Sequence, residues 1–291
     1  MERKLSLNPW WAEGEFLKRR LTFPQIIEAI AAMGVDGLDM NDIYIADSPN
    51  PEPRTVRTIK KQCAAAGLEI MSCWYYTDLA GAALLYSPER AVSHIARLLA
   101  VTELLESKYL VISNGNLPRG VTVEEARSAL LKVYESLVPL AEDHDIAIGF
   151  HAGRANSPFT SPGGALSLVQ ELGSPYLTVT PDFEAWRRPA PGMPVRYTDN
   201  PNLVQGEALS VDVFRQVLPH APVIHAKFLE ITDGDEPNYP LDDLFTALNA
   251  STTAHNICIE YEGWVPEIHP ERSPVAETEK CVDIVRRRLN T

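Results

Sequence analysis

Four side chains of types that bind divalent metals stand at the ends of four short apolar runs. They are His151, Asp182, His225 and Glu260, at the C-terminal ends of residues 146–151, 176–182, 222–225 and 256–260. Each run has the length and apolar character of a β-strand. Two imidazoles and two carboxylates suit a divalent ion such as Mn, Co, Zn or Fe. If the four strands are parallel neighbours, their ends bring these side chains into one site.

Strand-like and helix-like segments alternate from one end of the chain to the other. The strand-like segments begin near Leu5, Asp36, Leu68, Lys108, Asp145, Pro175, Pro222 and Asn256. Eight strands separated by helices predict a (β/α)8 barrel, which places its chemistry at the C-terminal ends of its strands. No GxGxxG or P-loop motif follows the first strand, which disfavours a nucleotide-binding open sheet. We therefore predict a single TIM-barrel domain over residues 1–291.

Local signals mark the beginnings of four helices. Two are capping boxes and two are Ser-Pro pairs: Thr22 with Gln25, Thr122 with Glu125, Ser87-Pro88 and Ser273-Pro274. The apolar pattern after each signal predicts helices that end near Gly34, Glu142, Leu105 and Leu289 respectively. These signals bear on stability and not on function.

Composition limits the classes of partner. The 291 residues are 45% apolar, enough for a large core, and carry a formal charge of −13 from 39 acidic and 26 basic residues. Nucleic-acid binding needs clustered Lys and Arg, so we expect no nucleic-acid partner. The four cysteines are far apart, as expected of reduced thiols in a cytoplasmic protein. No apolar run approaches the length of a membrane span, so we expect no membrane partner.

Three connections that follow strands are longer than folding requires. They cover residues 74–86, 151–161 and 182–206. In a barrel all three belong to the catalytic face, where long loops form lids and pockets. The charged side chains of Arg187 and Arg188 in the last connection are interpreted as solvated, with contact to an acidic substrate as the alternative.

Aromatic and amide side chains near strand ends could line a substrate pocket. Flat aromatic walls with a few polar groups fit the apolar C–H faces of a sugar. The proposed substrate contacts are Asn8, Trp74, Asn114 and Trp186, and further candidates are Trp10, Trp11, Tyr75, Tyr76, Asn116 and Trp264. For each aromatic residue the alternative is ordinary packing in the core or in a loop.

The chain resembles the xylose isomerase-like barrels, the sugar phosphate isomerase/epimerase superfamily. The spacing of strands and helices is similar over almost the whole chain, and the specific motifs lie in its second half. His225-Ala226-Lys227 resembles the family's His-x-Lys at strand seven, and Glu260 to Gly263 resembles its Glu-Tyr-Glu-Gly at strand eight. Asp182 matches the aspartate that ends strand six. The resemblance implies that Asp182, His225 and Glu260 are metal ligands.

Two departures from the family pattern concern the ligands and the proton carriers. Strand five of the family usually ends in Glu-Asn-His, whereas here His151 stands in the place of the Glu; Ala185 replaces a usual His after strand six. The family's ketose epimerases use the strand-five and strand-eight glutamates as acid and base. His151 is therefore either a fourth metal ligand or the base.

Catalytic roles are expected for the following residues: Lys227, His151, Glu260 and Glu184, with Glu262 as a further candidate. Lys227 lies two residues beyond His225 and so on the same face of strand seven. There it should bind a substrate oxygen or a ligand carboxylate and offset negative charge that develops during the reaction.

The leading hypothesis is a metal-dependent isomerase or epimerase that deprotonates a sugar, ketose or polyol derivative next to a carbonyl held by the metal. One divalent ion is expected, with Mn preferred over Co, Zn, Fe and Mg. Dehydration or C-glycoside cleavage by a lyase begins with the same deprotonation and is the second hypothesis. A third is a sugar-binding barrel or partner subunit without activity. A homo-oligomer is also left open.

Overall fold

The computed structural model describes residues 3–154, 157–187, 209–263 and 271–289. Eight strands occur in this part of the chain: β1 Lys4–Leu7, β2 Gly37–Asn41, β3 Glu69–Tyr75, β4 Tyr109–Ile112, β5 Ala147–Ala152, β6 Leu177–Pro181, β7 Val223–Phe228 and β8 Asn256–Tyr261. Each strand begins within a few residues of its predicted start. The predicted strand pattern is therefore confirmed.

The eight strands form one parallel sheet that nearly closes into a barrel. The order of hydrogen-bonded neighbours is β6-β5-β4-β3-β2-β1-β8-β7. Between β6 and β7, one parallel bridge pairs Asp182 with His225. This confirms the predicted (β/α)8 TIM barrel. It also places two of the candidate ligands at the junction where the barrel closes.

Helices follow the strands and cover the outside of the barrel. In the described part of the chain they are α1 Glu13–Leu17, α2 Phe23–Ala32, α3 Pro53–Ala65, α4 Leu79–Leu85, α5 Pro88–Leu104, α6 Val123–His144, α7 Pro162–Leu172, α8 Val211–Val217, α9 Leu241–Ala250 and α10 Pro274–Leu289. Short 3-10 helices cover Pro9–Ala12, Asp42–Tyr44, Phe183–Trp186 and Leu218–His220. Among the described helices, none combines the length and the apolar character that crossing a bilayer would require.

The predicted helix starts are confirmed by their hydrogen bonds. Thr22 donates its backbone N–H to the Gln25 side chain at 2.9 Å, and Thr122 accepts from the Glu125 N–H at 3.2 Å. Ser87 caps α5 by accepting from the Arg90 N–H at 3.2 Å. These bonds satisfy backbone donors that the first helical turn leaves free.

Apolar side chains fill the space between the sheet and the helices, whereas several charged side chains are buried inside the barrel. The buried charged group includes Asp39, Asp182, His225, Lys227 and Glu260. All four cysteines are buried and none forms a disulfide, as predicted. Buried charges are stable only when they are paired or bind an ion, so this group of charged residues is a candidate functional site.

Strand register sets which of these charged residues are neighbours. Along the β7–β8 pair, His225 lies opposite Cys258 and Lys227 lies opposite Glu260. Because alternate residues of a strand share a face, His225 and Lys227 both point into the barrel.

Candidate functional site

The four residues singled out from the sequence lie close together at the C-terminal end of the barrel. Nε2 of His151 is 3.0 Å from Oδ2 of Asp182, and Nδ1 of His225 is 3.2 Å from Oε1 of Glu260. The two imidazole rings have their centroids 5.3 Å apart. The fold thus gathers all four predicted ligands into one region.

Ligand atoms in this region form two overlapping groups that could hold a metal ion. His151, Asp182 and His225 offer one group, and Asp39, His225, Cys258 and Glu260 the other; within each group the ligand atoms all lie within 4.8 Å of one another. His225 belongs to both groups. The two groups together are a candidate site for a metal ion, and they add Asp39 to the residues expected from the sequence.

Asp39 is the buried carboxylate that the sequence analysis missed. It lies in β2 with no exposed surface, accepts a short hydrogen bond from Ser72, and accepts one from Asn8 Nδ2 at 3.2 Å. Burial raises the pKa of Asp39 above its usual value. The sequence contains a feature that could have identified it, because Asp39 is the only charged residue within the strand Gly37–Asn41.

His225 has the surroundings of a metal ligand. Both its ring nitrogens are buried and neither makes a hydrogen bond to the described residues. Nδ1 faces Glu260 at 3.2 Å, and Nε2 faces Asp39 Oδ2 at 3.5 Å. Burial by itself lowers the pKa of His225, but the carboxylates of Glu260 and Asp39 outweigh it and raise the pKa to about 9. A ring held among carboxylates requires a positive charge, either a proton or a metal ion, so the residues fit a metal.

Lys227 supplies a fixed positive charge between three carboxylates. Its Nζ is 3.0 Å from Asp182 Oδ2, 3.0 Å from Glu262 Oε1 and 3.8 Å from Glu260 Oε2. Burial by itself lowers the pKa of Lys227, but the nearby carboxylates hold it well above the usual value. The ammonium group therefore stays charged and holds the Asp182 and Glu262 side chains in place.

His151 lies on the wall of the site and is the most accessible of the four predicted ligands. Its side chain is 19% exposed, compared with 0% for Asp182 and His225. Its ring stands edge-on to Trp74, with centroids 6.0 Å apart. A Cβ added to Gly153 would lie 3.0 Å from the His151 ring, so the glycine lets the chain after β5 pass close to it.

Glu184 is held by two partners beside the site. Arg187 donates to its Oε1 at 2.7 Å, and Tyr239 donates to its Oε2 at 2.9 Å. Burial raises the pKa of Glu184 despite the nearby cations of Lys227 and Arg187. The expected solvated position of Arg187 is wrong, because its side chain is only 8% exposed and is paired with Glu184. Arg188 lies outside the described residues.

A cavity of about 230 Å³ opens above these residues. Its polar walls include His151, Asp182, Glu184, Lys227, Glu260, Glu262, Asn8, Asn116 and Arg154; its aromatic walls are Trp10, Trp74 and Tyr76. The indole N–H of Trp74 is buried without a hydrogen-bond partner among the described residues. An apolar wall with a few convergent polar groups is typical of a small-molecule site.

Asn8 lies beneath the cavity and connects two carboxylates. Its Nδ2 donates to Glu260 Oε1 at 3.0 Å and to Asp39 Oδ2 at 3.2 Å. Its Oδ1 has no partner among the described residues. The side chain therefore orients Glu260 and still offers an acceptor to a ligand.

A family model described as the xylose isomerase-like TIM barrel matches residues 27–280. The chain belongs to the xylose isomerase-like TIM-barrel family. No curated protein matches it at a significant level of sequence similarity.

Solved structures with this barrel superpose over nearly the whole chain at low identity. D-psicose 3-epimerase from Clostridium cellulolyticum H10 gives a TM-score of 0.75 at 10% identity, with 98% of this chain and 99% of that chain covered. D-allulose 3-epimerase from Methylomonas sp. gives 0.70 at 13% identity, with 99% and 98% covered. A 3-keto-D-glucoside 4-epimerase from E. coli gives 0.67 at 12% identity, with 98% and 99% covered. At these identities the likeness shows the fold.

Two expected substrate contacts of this xylose isomerase-like barrel do not reach the cavity. Asn114 is fully buried, donates to the Phe159 carbonyl at 3.0 Å and accepts a short hydrogen bond from Tyr134. Trp186 is fully buried, donates to the Ser210 carbonyl at 3.1 Å and packs against Phe214. Their polar groups are used within the protein, so both residues stabilise the barrel instead of lining the cavity.

The remaining aromatic candidates divide between wall and core. Trp10 and Tyr76 line the cavity with Trp74, whereas Trp11 and Tyr75 are buried in the core. Trp264 lies outside the described residues. In this family member the aromatic wall is therefore built from the ends of β1 and β3.

Proposed function

We propose that this protein is a divalent-metal-dependent isomerase or epimerase of a sugar, ketose or polyol derivative. The observation that carries the proposal is the convergence of His151, Asp182, His225 and Glu260 beneath a cavity with aromatic walls. Epimerase activity is named for several structural neighbours. That agreement supports the choice of reaction class, and the site residues supply the chemistry.

Asp182, His225 and Glu260 are the proposed metal ligands, with His151 as a fourth candidate. This mixed set of nitrogen and oxygen donors suits Mn, our first choice, and also Co, Zn, Fe or Mg. When bound, a divalent ion would polarise a substrate carbonyl and so acidify the neighbouring C–H bond. Three protein ligands are the usual number at a catalytic metal site, because positions must remain for substrate.

Glu260 is the proposed base that removes the proton. Its Oε1 is oriented by Asn8 at 3.0 Å, and Lys227 lies 3.8 Å from its Oε2. Removal of a proton next to a carbonyl leaves an enediolate, whose negative charge the Lys227 ammonium would offset. Return of the proton to the same carbon from the opposite face gives the epimer, and return to the neighbouring carbon gives the isomer.

His151 is the proposed proton carrier on the opposite side. Its Nε2 is hydrogen-bonded to Asp182 Oδ2 at 3.0 Å, which leaves Nδ1 for proton transfer. The partial exposure of the ring gives it access to a bound substrate. A neutral imidazole that ligates the metal through one nitrogen and is hydrogen-bonded through the other could not serve in this way. Glu184 is the alternative carrier, because it lines the cavity and burial raises its pKa above the usual value.

The experiment that tests the function follows proton exchange in deuterated water. Protein loaded with Mn²⁺ is incubated with a panel of ketoses, and NMR records deuterium incorporation next to the carbonyl and the identity of the product. Exchange with retention of every oxygen supports the isomerase or epimerase. Loss of a hydroxyl or of an aglycone would establish the lyase instead, and Asp182→Ala serves as the control that should lose both metal and exchange.

The role of His151 is tested by two variants in the same assay. We expect His151→Ala to keep its metal and to lose proton exchange by about two to four orders of magnitude, the range for a general acid or base. His151→Glu should recover part of the exchange, because it restores a carboxylate proton carrier. Loss of metal from His151→Ala would assign the residue to the ligand set.

A further inference from the structure

We propose that the substrate carries an anionic group, a carboxylate or a phosphate, which Arg154 and Thr160 bind at the wall of the cavity beyond His151. The inference rests on the proposed function because it names the class of sugar that this site would accept. Two independent features of the cavity wall carry it, both judged within the described residues: a cation that has no carboxylate partner and a buried hydroxyl that makes no hydrogen bond.

Arg154 is the cavity cation that has no carboxylate partner in the described part of the chain. It is half-buried and lines the cavity, and none of the described carboxylates lies within 4.0 Å of its guanidinium group. Two other cations lie in or beside the cavity, and each forms an ion pair with a carboxylate. Lys227 pairs with Asp182, and Arg187 pairs with Glu184. A guanidinium presents parallel N–H groups that match the two oxygens of a carboxylate or phosphate.

Thr160 provides the second observation. It is only 4% exposed and lines the same cavity, yet its Oγ1 has no hydrogen-bond partner among the described residues. A buried hydroxyl that lacks a partner is costly, so such groups in a cavity wall indicate a ligand that completes the hydrogen bond. The Arg154 N–H donates to the Thr160 carbonyl at 3.1 Å, which holds the two residues side by side.

The short connection from His151 sets the distance between the reacting centre and the anion. Arg154 follows His151 by three residues, which span at most about 10 Å, the length scale of a ketose chain. Gly153 permits this path, because a Cβ there would lie 3.0 Å from His151 Cε1 and 3.4 Å from Asp182 Oδ2. A sugar could therefore place its carbonyl beside His151 and its charged end beside Arg154.

Charge differs along the cavity wall. Four carboxylates line the cavity, those of Asp182, Glu184, Glu260 and Glu262. Lys227 lines it as well and pairs with two of them, Asp182 and Glu262. An anionic group would be attracted to the Arg154 guanidinium and repelled by carboxylates whose charge is not neutralised, so a substrate with one charged end would favour one orientation. Arg154 thus bears on both the class of sugar and the carbon presented for deprotonation.

Binding of unreactive six-carbon ligands tests the inference. Calorimetry on the Mn²⁺-loaded protein would compare D-glucitol, D-gluconate and D-glucitol 6-phosphate, which lack a ketose carbonyl. We expect at least one anionic ligand to bind about tenfold to a hundredfold more tightly than D-glucitol, the size of a charged hydrogen-bonded contact. Preference for gluconate would identify a sugar acid, and preference for the phosphate a sugar phosphate.

Variants separate a binding role from a structural one. Arg154→Gln should abolish the preference and leave the Kd of D-glucitol unchanged, whereas Arg154→Lys should retain part of the preference. Thr160→Val should lower the affinity for the anionic ligand several-fold. It should not lower thermal stability, because the lost hydroxyl makes no hydrogen bond to the described residues. Arg57→Gln removes an equal charge from an exposed site on α3 and should change nothing.

Two outcomes would overturn the inference. One is equal affinity of the unmodified protein for all three ligands. The other is that Arg154→Gln lowers the affinity for all three ligands by the same factor. Failure of this inference can be told apart from failure of the proposed function. Anion preference without proton exchange would refute the function and leave the binding site, and exchange without anion preference would refute this inference alone.

Discussion

At the scale of single residues, the environment of a side chain decides its role more than its type does. His151 and His225 both lie in strands of the barrel, near the end of β5 and in the middle of β7. His151 is partly exposed beside Trp74, whereas His225 is enclosed by carboxylates. Asp39 and Asp182 are both fully buried aspartates. Asp39 is bonded to neutral donors, whereas Asp182 contacts Lys227 and His151, which hold its pKa well below the usual range against the effect of burial.

Asp39 should act on the metal through His225. Metal-binding imidazoles usually donate their second N–H to a carboxylate, and loss of that carboxylate typically costs 10–100-fold in metal affinity. Asp39 Oδ2 lies 3.5 Å from His225 Nε2. We therefore expect Asp39→Asn to weaken Mn²⁺ binding by about 10–100-fold, measured by titration of the metal-free protein.

The matched control for Asp39 is Asp143→Asn, which removes an exposed carboxylate from α6. It should leave the affinity for Mn²⁺ unchanged. Unchanged affinity in Asp39→Asn as well would show that Asp39 only fills the barrel interior.

Lys227 is expected to stabilise negative charge during the reaction. Lys227→Met keeps the length of the side chain and removes its charge. We expect kcat to fall by about two orders of magnitude while metal stays bound, as for removal of one oxyanion-stabilising donor. Steady-state kinetics and metal analysis measure the two effects separately, and Lys61→Met on the exposed surface of α3 is the control. An unchanged kcat/KM would contradict the role.

At the scale of elements, the connection after β7 is organised by one buried carboxylate. Glu236 accepts the backbone N–H groups of Leu229 at 2.6 Å, Glu230 at 2.7 Å and Asn238 at 2.9 Å. The next residue, Tyr239, donates to Glu184 at 2.9 Å. The hydrogen bonds of Glu236 therefore link the end of β7 to a carboxylate on the cavity wall.

Glu236→Gln should loosen this connection. The substitution replaces an oxygen acceptor by an amide NH2 group that cannot accept from a backbone N–H. We expect a loss of about 1–3 kcal/mol in the free energy of unfolding, the cost of buried donors left unsatisfied. Chemical denaturation measures it, with Glu279→Gln on the exposed face of α10 as control. Equal stabilities of the two variants would refute the organising role of Glu236.

The start of a helix is decided by residues within or next to that helix. Thr22, Ser87 and Thr122 begin α2, α5 and α6 as predicted, because a cap is recognised from a few adjacent residues. The connection at residues 74–86, for which the sequence predicts a loop, contains the helix α4, Leu79–Leu85. Asp78 caps this helix by accepting a hydrogen bond from the Gly81 N–H at 3.0 Å.

At the scale of the whole molecule, the buried charge of the site should make stability depend on pH and metal. In the metal-free protein the pKa of His225 is raised from 6.5 to about 9. The folded state therefore binds this proton more tightly than the unfolded state does. The resulting stabilisation is fully present below about pH 6.5 and is lost as the pH rises through about 9.

We expect the Tm of metal-free protein to fall between about pH 7 and pH 9.5 and the Tm of Mn²⁺-loaded protein to fall less. A bound cation would take the place of the proton on His225, so the pH dependence should diminish. Calorimetric scans in chelator and in Mn²⁺ measure both. Identical pH profiles with and without metal would show that His225 does not bind the ion.

The sequence by itself predicted the barrel, most helix starts, the four candidate metal ligands and most of the residues that line the cavity. Strand periodicity, caps and polar residues at strand ends are local patterns, and the parallel barrel brings successive strand ends to one face. The tertiary structure alone decided that Asp39 lies beside His225 and that Asn114 and Trp186 are used within the protein and do not line the cavity. It also decided that Arg187 pairs with Glu184, whereas Arg154 has no carboxylate partner among the described residues. These outcomes depend on strand register and on contacts between residues far apart in the chain, and no short stretch of sequence encodes them.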